Sequence, residues 1–77
     1  MKIRVESFAT YRDYTRNLPE DKSLEVPEGA TVAQVLAMLG VPEEAPKILL
    51  VNGRARFPET VLAAGDSLVF FPPLEGG

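Results

Sequence analysis

Apolar and polar residues alternate at the start of the chain: Ile3 and Val5 stand against Lys2, Arg4 and Glu6. A period of two predicts a strand over Lys2 to Ala9 with one buried face. After Thr10 the alternation dissolves into Tyr-Arg-Asp-Tyr-Thr-Arg-Asn, ending at Leu18-Pro19. This stretch reads as a polar connection with room for one helical turn. Alternation returns over Lys22 to Val26, with Leu24 and Val26 inward, and Pro27 ends that strand. Pro27-Glu28-Gly29-Ala30 is a turn cluster. Thr31 then stands three residues before Gln34, the spacing of a capping box in which each residue's side chain satisfies the other's backbone N–H. Val32, Val35, Leu36 and Leu39 recur at helical spacing and give that helix one apolar face. Gly40 supplies its stop, and Pro42 forbids continuation.

Past the helix the period changes again. Ile48 to Val51 is a strand, Asn52-Gly53 is a two-residue hairpin signal, and Arg54 to Phe57 is its short return. Val61 and Leu62 pack down after the Pro58-Glu59-Thr60 turn. Gly65-Asp66 then turns the chain into a last strand, Ser67 to Phe71. Strands flanking one short helix predict an α+β two-layer fold, a mixed sheet of four or five strands with the helix on one face. The domain spans 1–71, and 72–77 is an extended tail.

Two strands break the rule that a sheet covered on one side reads apolar-in, polar-out. Ile48-Leu49-Leu50-Val51 and Leu68-Val69-Phe70-Phe71 are apolar on both faces. With Leu49, Val51, Leu68 and Phe70 turned to the helix, Ile48, Leu50, Val69 and Phe71 face out. A contiguous apolar patch on an uncovered face marks a partner site; the competing readings are that loops fold over this face or that the chain dimerises through it.

Composition narrows the chemistry. The chain has 77 residues, 45% of them apolar and 25% charged, which fits one small globular domain. It contains no Cys, His or Trp. It therefore has no thiol nucleophile, no disulfide, none of the usual zinc ligands and not the commonest general base. The net charge is −3 and the basic residues are scattered, which argues against nucleic acid as a partner. No apolar run approaches the roughly 20 residues of a membrane span, and MKIRVES lacks a signal-peptide core. A cytoplasmic location is the expectation.

Carboxylates, lysines and tyrosines remain for side-chain chemistry, and the tail is the other candidate, against the plain alternative of a frayed terminus. Pro72-Pro73 favours the polyproline II form, which at about 3.1 Å per residue carries Pro72 to Gly77 roughly 18 Å beyond the sheet. Gly76 and Gly77 lack Cβ atoms, so that end can enter a slot shaped for bare backbone.

The order and spacing of several short segments resemble the MoaD/ThiS group of ubiquitin-like β-grasp sulfur carriers, above all the small subunit of molybdopterin synthase. The segments are Val5 to Arg12 (including Phe8-Ala9-Thr10-Tyr11-Arg12), Leu24 to Val32, Val51-Asn52-Gly53, Ala64 to Pro73, and the final Gly76-Gly77. Phe70-Phe71-Pro72-Pro73 looks less like the thiamine-pathway carriers. The resemblance implies a β-grasp fold and a non-catalytic co-substrate that binds no cofactor itself. An adenylating, ubiquitin-activating-like partner uses ATP to convert the Gly77 carboxylate into an acyl adenylate. A sulfur donor protein then converts this to a thiocarboxylate, and a molybdopterin synthase large subunit consumes it. Gly77 becomes the reactive end, and Gly76, Leu74, Pro73 and Phe71 the partner-binding residues. Leu50 and Val69 join them from the patch argument. Glu75 departs from the small residue common before the Gly-Gly. Sulfur transfer to thiamine or tRNA, conjugation to proteins through Gly77, and a purely non-covalent β-grasp module are the competing readings.

Overall fold

The computed structural model describes residues 1–74. Strands β1 (Lys2–Ser7), β2 (Ser23–Glu25), β3 (Ile48–Val51), β4 (Arg54–Ala55) and β5 (Ser67–Phe71) form one five-stranded sheet in the order β2-β1-β5-β3-β4. β1 and β5 run parallel at its centre, and the other pairings are antiparallel. Helix α1 (Val32–Met38) covers one face, and a 3-10 helix (Ala9–Thr15) follows β1. This is the expected mixed sheet with one main helix, built with five strands.

Each element follows from local chemistry. The capping box at α1 is complete: Gln34 N donates to Thr31 Oγ1 (3.2 Å), and Thr31 N donates to Gln34 Oε1 (2.9 Å). At the other end Gly40 takes φ +84°. Gly40 N donates to Ala37 O (3.0 Å) and Val41 N to Leu36 O (3.0 Å), the paired bonds of a Schellman stop. Val41, just past the stop, is buried. The helix has only seven residues, so packing rather than propensity holds it. Asn52 and Gly53 both have positive φ (52° and 81°), as a type I′ hairpin demands.

The core lies between the sheet and α1. Ile3, Val5, Leu49, Val51, Leu68 and Phe70 enter it from the sheet, Val32, Val35 and Leu36 from the helix, and Leu62 from the loop before β5. The inward set expected for β3 and β5 is therefore the observed one.

Four local expectations need correcting. β1 ends at Ser7, because Ala9 adopts φ +56° and starts the 3-10 helix. The segment read as a polar connection is that helix, and it is tied into the core. Thr15 is buried against Ser7, hydroxyl to hydroxyl at 2.7 Å, while Tyr11 and Tyr14 pack on Phe70. Val61 does not pack down: it is 64% exposed, whereas its neighbour Leu62 is buried. Val61 bridges to Thr31 at the helix cap, which turns its side chain outward. The return strand stops at Ala55, two residues short of Phe57. Among the described residues no helix is long and apolar enough to cross a membrane.

Candidate functional site

Because β1 and β5 are parallel, their C-terminal ends lie side by side at one end of the sheet, and the tail leaves from that end. Pairing places the outward residues in rows across the face away from α1. Glu6, Val69, Leu50 and Ala55 form one row through the registers β1–β5, β3–β5 and β3–β4. Phe71 and Ile48 form the next. Phe8 extends that second row: it follows Ser7, the partner of Phe70, and its N–H donates to Phe70 O (3.2 Å). Phe71, Val69 and Leu50 are half-buried and Ile48 and Phe8 are exposed; among the described residues no helix packs over this face. The alternation of β3 and β5 thus produces the apolar patch its sequence implied.

The patch is bounded on one side by charge. Lys2 and Arg4 stand on the outer face of β1, with Arg4 Nη2 3.6 Å from Glu6 Oε1. Beside Phe8, Glu6, Arg12, Asp13, Arg16 and Lys22 surround a concavity of about 250 Å³. At the entry to β2, the Asp21 carboxyl is held below its ordinary value. The hydrogen bond from the Ser23 hydroxyl is the main cause, then that from the Ser23 backbone N–H. This exposed carboxylate fixes a turn and faces no reacting group.

The tail begins where the patch ends. Pro72 is half-buried, Pro73 is exposed, and Leu74 is 98% exposed, so the chain has left its own core by that residue. The structure therefore brings Leu50, Val69 and Phe71 together on one face, and Pro73 and Leu74 follow Phe71 in the chain, exposed. Glu75, Gly76 and Gly77 lie outside the described residues. Phe8 and Ala55 belong to the same face but were not among the sequence-derived site residues, and Ile48 was placed outward without being assigned to the site. For Phe8 the signal was present: with Ile3 and Val5 inward, the same alternation puts Ser7 inward and Phe8 outward. A polar residue at the inward position hid it.

A family model described as the ThiS family matches residues 5–77. Among solved structures, SAMP1 from Haloferax volcanii is 25% identical, with all of each chain covered and a TM-score of 0.74. A protein assigned as molybdopterin converting factor subunit 1 from Pyrococcus furiosus is 26% identical over 96% of this chain and 99% of that one, with a TM-score of 0.74. The complex of subunits 1 and 2 of molybdopterin-converting factor from Helicobacter pylori contains a chain of the same fold. It is 18% identical with both chains fully covered, at a TM-score of 0.61. No curated protein matches the sequence.

Proposed function

The chain belongs to the ThiS family of ubiquitin-like sulfur carriers, and from that premise we propose that it carries sulfur as a thiocarboxylate on Gly77 for assembly of the molybdopterin dithiolene. The observation that carries this reading is a juxtaposition at the end of β5. An uncovered apolar face ends at the root of a tail that has already left the core at Leu74. Such an arrangement docks the body of the domain on a partner while the chain end enters the partner's active site.

The chemistry then runs on backbone. A free carboxylate is a poor electrophile. In an activating partner the Gly77 carboxylate attacks the α-phosphate of ATP and pyrophosphate leaves, giving a mixed anhydride. A persulfide sulfur on a donor protein displaces AMP, and reduction of the resulting acyl disulfide by a thiol leaves the thiocarboxylate. In the synthase large subunit the thiocarboxylate sulfur goes to the pterin precursor, and hydrolysis returns the carboxylate. The side chains for these steps come from the partners, consistent with a carrier that has no Cys or His.

The molybdopterin assignment draws support from the likeness to the Pyrococcus furiosus subunit 1 and from the Helicobacter pylori complex of subunits 1 and 2, one chain of which has this fold. Phe70-Phe71-Pro72-Pro73 points the same way. The test is complementation. Cells lacking their own molybdopterin-synthase small subunit, supplied with this chain and its activating enzyme, are expected to regain molybdoenzyme activity. Rescue of thiamine auxotrophy or of tRNA thiolation in its place moves the chain to those pathways. A ladder of conjugates on immunoblots, with neither rescue, makes it a protein modifier, as the name of the Haloferax volcanii small archaeal modifier protein 1 says of that neighbour.

A further inference from the structure

The Asn52-Gly53 hairpin has a chemistry of its own. Asparagine followed by glycine is the arrangement most open to deamidation, because glycine has no Cβ to shield its backbone nitrogen. That nitrogen attacks Asn52 Cγ, its proton goes to the departing amide, and ammonia leaves. The resulting succinimide takes up one water and opens to aspartate or isoaspartate. No oxidant or reductant is needed, and Asn52 is exposed to water.

In this structure the reacting carboxamide is held at both ends. Asn52 Nδ2 donates to Asp66 Oδ1 (2.9 Å), and Asn52 Oδ1 accepts from Ser67 N (2.9 Å). Asn52 N donates to Ser67 O (2.8 Å), which ties the turn to the start of β5. The second oxygen of Asp66 accepts from Ala63 N (2.8 Å), so the carboxylate cannot swing away without losing a bond of its own. Cyclisation requires Asn52 Cγ to turn onto Gly53 N, and both side-chain bonds must open first. The nearby Asp66 carboxylate also disfavours the negative charge that builds as Gly53 N loses its proton.

We propose that Asn52 is a latent deamidation site, kept closed by the Asn52–Asp66–Ser67 clasp and opened when the clasp fails. Conversion removes the donor to Asp66 and sets two carboxylates facing each other, an arrangement that repels. The hairpin affected carries Leu50 and Ala55 of the apolar face. Only the consequence for docking rests on the sulfur-carrier reading; the chemistry does not.

The full chain, incubated at mildly alkaline pH folded and in urea, is followed by peptide mass mapping at Asn52. With two hydrogen bonds of about 1 kcal/mol each to open, the folded chain is expected to convert at least about tenfold more slowly than the unfolded one. Asp66→Ala, checked by circular dichroism to be folded, gives up one of the two bonds and is expected to convert about fivefold faster than the folded parent. Equal rates for the parent folded and unfolded overturn the proposal. So does a folded Asp66→Ala that converts no faster than the parent. If Asp66→Ala does not fold, the parent's ratio decides alone.

Discussion

Deleting Gly77 is expected to abolish sulfur transfer while leaving Tm essentially unchanged. The buried core runs from Ile3 to Phe70, and Leu74 is already free of it. A residue beyond that point contributes little packing. The proposed chemistry, by contrast, needs the Gly77 carboxylate at one position in a partner's site, and a chain one residue short falls about 3 Å away from it. A misplacement of that size at a reacting centre costs orders of magnitude in rate. Thermal unfolding by circular dichroism and thiocarboxylate formation with the activating enzyme check the two halves. A marked fall in Tm makes the end of the chain structural, and undiminished sulfur transfer removes Gly77 from the chemistry.

Phe70 and Phe71 are neighbours in β5 with opposite expected effects. Phe70 is fully buried and carries Tyr11 and Tyr14 at ring distances of 6.3 and 6.4 Å. Phe70→Ala is expected to cost about 3–5 kcal/mol, from lost transfer energy and the cavity left behind. A chain of this length has a total stability of roughly 4–12 kcal/mol, so the loss is about a quarter of it or more and the urea midpoint should fall markedly. Phe71 points to the uncovered face. Phe71→Asp is expected to leave the urea midpoint near the parent's while weakening partner binding at least about tenfold, since a charge is then buried unpaired against an apolar partner surface. Urea unfolding and titration calorimetry with the partner read these out. A reversed pattern, with Phe71 the destabilising site, would mean that β5 is turned the other way.

That contrast shows what the sequence carried plainly. Strand period is two, so a run such as Leu68-Val69-Phe70-Phe71 fixes its own faces once one residue is placed, and the capping residues Thr31, Gln34 and Gly40 mark a helix by local chemistry alone. The missed parts depend on contacts distant in sequence. The 3-10 helix has no long periodic face, and its order comes from Ser7 meeting Thr15, the tyrosines meeting Phe70, and Tyr11 Oη donating to Pro46 O at 2.7 Å. Nothing in Tyr-Arg-Asp-Tyr announces those partners. The same holds for Val61: its apolar character is legible in the sequence, but its bridge to Thr31 is not. At the site, Leu50, Val69 and Phe71 followed from alternation. Phe8 was lost because the inward position before it holds a serine that the fold satisfies with a threonine eight residues on.

The central claim is that the last carbonyl carbon of the chain becomes the reacting centre. Intact-mass spectrometry after incubation with ATP, an activating enzyme and a persulfide donor tests it most directly. The account predicts the mass change for one oxygen replaced by sulfur, localised to Gly77 by fragmentation and absent without ATP. An unchanged mass under conditions that thiocarboxylate a known family carrier, or sulfur located at any other residue, would contradict it.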